Sequence, residues 1–320
     1  MRFQQQIIFE KIGAEGQKKL QKSTVCILGL GALGSRAAEL LTRAGIGTLI
    51  LIDRDVVELL NLQRQTLYTE QDLNLPKVYQ AAIHLKQINS KIKIKPFFKD
   101  INYTNIESFV KGDLVLDCTD NLETRFLLNE HCLEKEIPWI FSSVLGSIGM
   151  LFNIIPKKTP CFSCIFSEPE DILGTCDTEG ILNTTPTLIS ALQVTEAIKI
   201  LTKQPYAKEL LYYDLWKHKL TKTKIKKNPK CNACKGKYSY LNGEKNKEVI
   251  KLCGTNSYQL KGYKPDLKKT AEKLEKIDKV IVNDYCLLFK ELTILKDGRV
   301  LIKAKSEKEA KELYSKYLGD

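Results

Sequence analysis

The sequence predicts an α/β fold: a Rossmann-like, doubly wound and mostly parallel sheet with a structural zinc site, followed by a small C-terminal α+β module. Three observations support this prediction. Apolar runs that suit buried strands alternate with helical patterns as far as residue 142, a glycine-rich turn follows the first of these strands, and two Cys-x-x-Cys pairs stand farther along the chain. Regular alternation of strands and helices is typical of a parallel sheet that helices cover on both faces.

The N-terminal half supports the prediction element by element. Apolar positions recur at helical spacing over residues 1–22, which indicates one or two helices before the first strand. The elements predicted after them are strand 24–28, turn 29–34, helix 35–44, strand 48–52, helix 76–89, strands 92–97 and 114–117, helix 124–135 and strand 139–142. Such sheets bind ligands at the carboxyl ends of their strands, so polar residues there are the first candidates for a site.

The C-terminal half is less regular. Residues 144–180 lose the alternation, whereas 187–201 predicts an amphipathic helix. The strands 210–214 and 219–225 suit a pair, and the polar segment 235–247, rich in Lys and Gly, predicts a linker. We therefore expect two domains, 1–240 and 241–320. The elements predicted in the second are helix 266–277, strand 279–288, a hairpin over 291–303 and helix 307–317.

Composition and charge exclude several classes of protein. The 320 residues are 43% hydrophobic and 28% charged, which is ordinary globular composition. No apolar run approaches the length needed to span a bilayer, and the N-terminus lacks the apolar core of a signal peptide, so we expect a cytoplasmic protein without membrane contact. The net charge is +12, and the excess of basic over acidic residues comes entirely from the part of the chain after residue 199. Because 43 of the 50 basic residues are lysines without an aromatic or arginine cluster, solvated lysines are favoured over a nucleic-acid substrate.

A glycine pattern predicts a nucleotide site. Gly29, Gly31 and Gly34 follow a predicted strand and precede a helix, and Asp53 ends the next strand 19 residues later. Glycines at this spacing permit a tight turn, close approach of phosphate to the backbone and close helix packing, while the acid suits a ribose hydroxyl. The pattern alone leaves two alternatives open: an NAD-dependent oxidoreductase, or glycines that serve packing only.

Charged residues after this pattern favour a triphosphate. Asp55, Asn61, Arg64, Gln65 and Lys77 follow within one crossover. Two cations beside a glycine loop suit a polyphosphate, whose charge must be neutralised. Farther along the chain, Asp120 and Asn121 follow the strand 114–117, where a carboxylate could hold Mg²⁺.

In these motifs the chain resembles the MoeB/ThiF/HesA family of adenylyltransferases, which are relatives of the ubiquitin-activating enzymes. The resemblance covers about residues 1–240 and is carried by 27–55, Asn-Leu-Gln-Arg-Gln at 61–65, Pro-Lys at 76–77, Cys-Thr-Asp-Asn at 118–121 and the paired Cys-x-x-Cys motifs. It implies ATP-dependent adenylation of the C-terminal Gly-Gly carboxylate of a ubiquitin-like sulfur-carrier protein, with release of pyrophosphate, by a homodimer. Molybdopterin synthesis, thiamine synthesis, tRNA thiolation and protein conjugation all use this chemistry.

The resemblance also implies roles for individual residues. It assigns catalysis to Arg64, Lys77 and Asp120, with Mg²⁺ at Asp120. It assigns nucleotide binding to Gly29, Gly31, Ala32, Gly34, Asp53, Asp55, Asn61, Arg64, Gln65, Lys77, Asp120 and Asn121. Two positions depart from the family: Gln5 stands where an arginine that reaches ATP is common, and Ala32 stands where many relatives have glycine. A catalytically weak scaffold that binds the carrier therefore stays an alternative.

The cysteines predict a metal site and pose one open question. Cys161, Cys164, Cys231 and Cys234 form two Cys-x-x-Cys pairs, which predict a single tetrahedral Zn²⁺ site of a structural kind. Redox dithiols are the alternative. Cys176 lies in a polar segment between glycines, and the resemblance implies a covalent link to the carrier there. An incidental thiol is the competing interpretation, because the neighbouring acids would not lower its pKa.

Overall fold

The computed structural model describes residues 2–166, 180–245, 250–252, 257–261 and 265–319. Cys176 lies outside them. The described residues belong to two compact units, the first ending at Lys245 and the second starting at Ile250.

An eight-stranded sheet forms the centre of the first unit, with strand order β3-β2-β1-β4-β5-β6-β7-β8. The strands are β1 Thr24–Leu28, β2 Thr48–Asp53, β3 Lys93–Phe98, β4 Leu114–Asp117, β5 Trp139–Leu145, β6 Ile148–Ile154, β7 Leu210–Asp214 and β8 Lys219–Thr223. Strands β1 to β5 pair with one another in parallel. The pairs β5–β6, β6–β7 and β7–β8 are antiparallel. This arrangement confirms the predicted mostly parallel, doubly wound sheet.

Helices cover both faces of this sheet. They are α1 Gln4–Ile8, α2 Gly13–Lys22, α3 Ala32–Ala44, α4 Lys77–Ile88, α5 Ile106–Phe109, α6 Leu122–Glu134, α7 Phe162–Ile165 and α8 Thr184–Thr202, with 3-10 turns at Leu59–Asn61, Glu70–Asp72 and Ala233–Lys235. Successive side chains of β1 alternate between two cores: Val25 and Ile27 pack in one, Cys26 and Leu28 in the other. Burial on both faces explains why this strand is an uninterrupted apolar run. No helix among the described residues combines the length and apolar character that crossing a bilayer requires.

The segment after residue 142 is more regular than the sequence predicts. Strand β5 continues to Leu145 and turns at Gly146 and Ser147 into β6, which pairs with it in antiparallel register from Ile148 to Ile154. We missed β6 because Leu151 and Phe152 are both buried, so its central part does not alternate in polarity. The expected pairing of the two later strands is confirmed by the register between β7 and β8.

Part of the predicted linker packs on the first unit. The Glu130 carboxylate of α6 accepts hydrogen bonds from the backbone N–H groups of Tyr240 and Leu241, both at 2.8 Å. The Tyr240 ring stacks on Phe126 with centroids 5.1 Å apart. The described chain therefore stays attached to α6 beyond residue 240, and independent folding of 241–320 stays a prediction.

The second unit contains a six-stranded antiparallel sheet with strand order β11-β12-β13-β14-β10-β9. Its elements are β9 Ile250–Leu252, β10 Ser257–Lys261, α9 Leu267–Leu274, β11 Ile281–Val282, β12 Cys286–Phe289, β13 Leu292–Leu295, β14 Arg299–Lys303 and α10 Glu307–Leu318. The single strand expected over 279–288 is instead split at a turn, because the Asn283 side chain accepts hydrogen bonds from the N–H groups of Tyr285 and Cys286. The hairpin over 291–303 is confirmed.

Candidate functional site

In the glycine loop after β1, two of the three glycines have no room for a side chain, and the third has room for one. Gly29 has φ +89°, and a Cβ there would lie 2.6 Å from the carbonyl oxygen of Cys118. A Cβ on Gly34 would lie 1.9 Å from the carbonyl oxygen of Gly29. At Gly31, by contrast, the nearest atom is the amide nitrogen of Gln65 at 3.8 Å. The loop therefore leaves its backbone accessible at Gly31, directly before the N-terminus of α3, where a helix favours an anion.

Ala32, the second departure from the family pattern, is the first residue of α3 and has Gly31 as its N-cap. No side chain caps this helix. Its first N–H groups thus remain available to a ligand.

Asp53 holds the loop to the end of β2. One of its carboxylate oxygens accepts a hydrogen bond from the Leu30 N–H at 2.5 Å, and the other accepts one from the Asp55 N–H at 2.7 Å. The Tyr68 hydroxyl donates to the Leu30 carbonyl at 2.9 Å. Burial raises the pKa of Asp53, against the opposing attraction of Lys77. These bonds show a loop-fixing role for Asp53, and its contact with a ribose stays a prediction. Sequence reasoning missed Tyr68, because its partner is a backbone atom.

Lys77 brings a buried cation to the same edge of the sheet. It is the first residue of α4, and its ammonium lies 3.4 Å from the Asp55 carboxylate. Only 7% of the Lys77 side chain is exposed. Burial acts to lower the pKa of Lys77, but attraction to Asp55, Asp53 and Asp120 outweighs it and raises the pKa above its ordinary value. The charge is therefore present at neutral pH among four carboxylates, those of Asp55, Asp53, Asp120 and Glu58.

Asp120 follows β4 and is exposed. Its carboxylate accepts no hydrogen bond from any residue that the structure describes. The surrounding protein atoms raise its pKa by desolvation, against the attraction of Arg54, Arg125 and Lys77. Asn121 beside it is buried and uses its side-chain oxygen to cap α6, accepting from the Thr124 N–H at 2.8 Å. Asp120 is thus an available oxygen ligand, whereas Asn121 has a structural task.

Arg125 supports the loop that carries Asp120, and sequence reasoning missed it. Its guanidinium donates to the Asp117 carboxylate at 3.1 Å, to the Thr119 carbonyl at 2.5 Å and to the Ser142 carbonyl at 3.2 Å. Burial raises the pKa of Asp117, with Arg125 opposing the rise. The sequence did carry a signal for this supporting role. Arg125 lies about one turn after the start of α6, and side chains there tilt back toward the residues that precede the helix.

The crossover between β2 and α4 places Asn61, Arg64 and Gln65 differently. Gln65 is buried beside Gly31, and its side-chain oxygen has no hydrogen-bond partner among the described residues. Arg64 donates to the Leu60 carbonyl at 2.9 Å. Asn61 is buried in a 3-10 turn, where its side-chain oxygen accepts from the Glu58 N–H at 3.3 Å. Gln65 is therefore the one of the three with an unused buried acceptor at the loop.

The N-terminal helix α1 does not supply an obvious substitute for the family arginine. Gln5 is exposed on this helix. Arg2 donates to the Ile88 carbonyl at 2.6 Å, at the end of α4 opposite Lys77. The buried cation that the structure brings to the loop is instead Lys77, at the start of α4.

The four predicted cysteines converge. The Sγ atoms of Cys161, Cys164, Cys231 and Cys234 all lie within 4.8 Å of one another. The closest separations are 3.3, 3.6, 3.6 and 3.8 Å. Four thiolates at about 2.3 Å from a tetrahedral Zn²⁺ would be separated by about 3.8 Å, so the donor set fits zinc. The Asn228 N–H points at the Cys164 sulfur at 3.5 Å, the kind of outer contact that orients a metal ligand.

Comparisons with known proteins agree with this geometry. Residues 3–233 match the ThiF family. The chain is 34% identical over 333 residues to the sulfur carrier protein ThiS adenylyltransferase of Bacillus subtilis, with 99% of each chain covered. It is 34% identical to the SAMP-activating enzyme E1 of Haloferax volcanii, covering 73% of this chain and 88% of that protein.

A solved structure matches the fold. The crystal structure of Escherichia coli MccB with MccA-N7isoASN has a TM-score of 0.66 at 23% identity, covering 73% of this chain and 75% of that chain. At this identity the match bears on the fold alone. The family match, the two relatives and the assembled glycine loop, Lys77 and Asp120 together show that this chain belongs to the ThiF family.

Proposed function

We propose that this chain adenylates the C-terminal Gly-Gly carboxylate of a ubiquitin-like sulfur-carrier protein with ATP. The observation that carries the proposal is a buried cation, Lys77, which pairs with Asp55 beside the glycine loop and lies close enough to Asp120 for that carboxylate to help raise its pKa. Relatives named as a ThiS adenylyltransferase and a SAMP-activating enzyme E1 support the class of substrate.

The phosphates of ATP would lie along the accessible backbone at Gly31 and the uncapped N-terminus of α3. Backbone N–H groups and the helix dipole favour negative charge there. Lys77 would neutralise part of the polyphosphate, and Arg64 would exchange its Leu60 carbonyl for a phosphate oxygen. Asp120 would hold Mg²⁺, which when bound supplies further charge neutralisation.

The reaction itself asks little proton chemistry of the protein. An oxygen of the carrier's terminal carboxylate attacks the α-phosphorus and forms a new P–O bond. The bond between that phosphorus and the bridging oxygen breaks, and pyrophosphate leaves with the electron pair. A C-terminal carboxylate is already ionised at neutral pH, so no general base is needed. Catalysis then consists of positioning and charge neutralisation.

The remaining parts of the proposal concern the zinc and the assembly. A site closed by four thiolates has no open coordination position, so the zinc would stabilise the first unit rather than react. A homodimer and a covalent role of Cys176 in sulfur transfer are included in the proposal from the family resemblance.

ATP–pyrophosphate exchange with a panel of Gly-Gly-ended carrier proteins tests this proposal. Exchange is expected with one carrier, and it should fall by about a hundredfold or more in Asp120→Ala. The control Glu70→Ala removes an exposed carboxylate of the same unit and should leave exchange unchanged. Absence of exchange with every carrier, from folded wild-type protein with zinc bound, would instead support a binding scaffold.

A further inference from the structure

Two polar side chains lie on one buried face of helix α8. Ser190 and Gln193 are three residues apart, so they project from the same side of the helix, and both side chains are completely buried. Ile189, Val194 and Ala197 of the same helix pack in the apolar core of the first unit. A polar group in such a core is unfavourable unless it is hydrogen-bonded, so the bonds that these two residues make explain why neither position is apolar.

Gln193 joins the ends of two strands. Its amide nitrogen donates to the Asp117 carbonyl at 3.1 Å and to the Ile140 carbonyl at 3.2 Å. Its amide oxygen accepts a hydrogen bond from the Cys118 thiol at 3.5 Å. The register between β4 and β5 ends with Leu116 opposite Ile140. Gln193 therefore connects these two strands at the point where their pairing stops.

The residues that Gln193 contacts begin the loop that carries Asp120. Arg125 of α6 and Gln193 of α8 approach this loop from opposite faces of the sheet, because α6 packs in one core and α8 in the other. Arg125 donates to the Asp117 carboxylate and to the Thr119 carbonyl. The backbone that leads into Asp120 is thus fixed from both faces of the sheet, whereas the Asp120 carboxylate itself accepts no hydrogen bond from the described part of the chain.

Ser190 makes a similar contact with the helix that follows the glycine loop. Its hydroxyl donates to the Leu33 carbonyl, in the first turn of α3, at 2.9 Å. One helix of 19 residues therefore bonds both the start of α3 and the loop that carries Asp120. The two segments also touch each other, since a Cβ on Gly34 would lie 3.2 Å from the Cβ of Cys118. Helix α8 thereby fixes the separation between the glycine loop and Asp120.

We propose that Gln193 is a positioning residue for adenylation: by joining the end of β4 to β5, it keeps Asp120 at its working distance from the glycine loop. The inference rests on the proposed function for the identity of the reaction. Because Gln193 is completely buried, it acts through the backbone of Asp117 and Cys118 rather than by touching a substrate. A misplacement of about 1 Å can slow a reaction by about a hundredfold.

Steady-state ATP–pyrophosphate exchange, with the carrier that supports it, measures kcat and the KM for ATP separately. Gln193→Met keeps the length of the side chain and removes both N–H donors. We expect kcat to fall by about tenfold to a hundredfold and the KM for ATP to change by less than about twofold, since the glycine loop and Lys77 are untouched.

A matched control removes an equally buried amide that contacts the same helix. Asn153 of β6 donates to the Glu196 carboxylate of α8 at 2.6 Å and to the Ala207 carbonyl at 2.9 Å. Asn153→Leu should also lower the midpoint of urea unfolding, because it too leaves buried acceptors without their donors. Its kcat should equal that of the wild type, since none of its partners belongs to the loop that carries Asp120.

A double-mutant cycle separates positioning from a general structural effect. If Gln193 acts through Asp120, then Gln193→Met should lower the residual exchange rate of Asp120→Ala no further. Loss by the same factor in both backgrounds would mean that the two residues act independently, and it would overturn the inference.

The remaining outcomes are also decisive. Wild-type kcat in Gln193→Met, or an equal loss of kcat in Asn153→Leu, would overturn the inference and leave the proposed function intact. If Gln193→Met fails to fold, Gln193→Asn decides the question: its amide is one methylene shorter and cannot reach both carbonyls, so kcat should fall by about threefold or more. Wild-type kcat in that variant would again refute the inference. Absence of exchange from the wild type with every carrier would overturn the proposed function and this inference together.

Discussion

Alanine substitutions at two glycines of the same loop are expected to have opposite consequences. Gly34→Ala should damage the fold, and Gly31→Ala should spare the fold but impair nucleotide binding. A Cβ at Gly34 would meet the Gly29 carbonyl oxygen at 1.9 Å, whereas one at Gly31 would meet Gln65 at 3.8 Å, an ordinary van der Waals distance. The two variants add the same methyl group three residues apart, so each is the control for the other.

The magnitudes follow from these distances. At Gly34 either the helix or the loop must move by more than an ångström, and overpacking of this kind costs about 1–3 kcal/mol or more. At Gly31 a Cβ would meet no atom closer than 3.8 Å, so the expected loss is about 1 kcal/mol, from an alanine at the N-cap of α3. A methyl group there would block phosphate from the backbone. Loss of one charge-assisted hydrogen bond, about 1.5–3 kcal/mol, corresponds to ATP binding weaker by about tenfold to a hundredfold.

Urea unfolding and calorimetric titration with Mg-ATP measure the two effects separately. Gly31→Ala should unfold near the wild-type midpoint and bind ATP weakly, and Gly34→Ala should unfold at a clearly lower midpoint. Wild-type ATP affinity in Gly31→Ala would refute the reasoning, because it would mean that no phosphate approaches the loop at its open position.

Three further predictions concern residues outside the glycine loop. Cys231→Ser should lower the zinc content measured by atomic emission and destabilise the first unit, because structural zinc contributes folding free energy. Arg125→Met should cost about 3–5 kcal/mol in urea unfolding, since it leaves the buried carboxylate of Asp117 unpaired. Burial lowers the pKa of His131 below 6.5. The contribution of this neutral imidazole to the free energy of unfolding is therefore complete above pH 6.5 and is lost as the pH falls toward the folded-state pKa. His131→Gln should make this loss of stability at acid pH smaller.

Each of these predictions has a contrary result. Full zinc occupancy in Cys231→Ser would show that the Cys231 thiolate is dispensable for zinc binding. Equal stability of Arg125→Met and Arg125→Lys would show that the charge does not matter to Asp117. If the unfolding free energy of His131→Gln falls with acid pH as steeply as that of the wild type, other groups cause the decline.

Much of the sheet was predictable because its signals are local. Strands β1, β2 and β4 are short apolar runs. The glycine turn follows β1 directly, and its three glycines have a fixed spacing. Strand β6 escaped prediction because its central residues are buried on both faces and carry no period, so only its partner β5 defines it. The identity of the zinc ligands was predictable, because one Cys-x-x-Cys pair supplies two thiolates and a tetrahedral site needs a second pair.

The amino-acid sequence by itself determined the fold class, the glycine loop, the four cysteines and the family, because each is encoded by neighbouring residues or by a fixed spacing. Only the tertiary structure decided what supports the site. Arg125 reaches the Ser142 carbonyl and Tyr68 holds Leu30. Arg54, which follows β2, lies 3.0 Å from Asp100, which follows β3. These partners are backbone atoms or residues far along the chain, and they become neighbours only when parallel strands bring their carboxyl ends to one edge of the sheet.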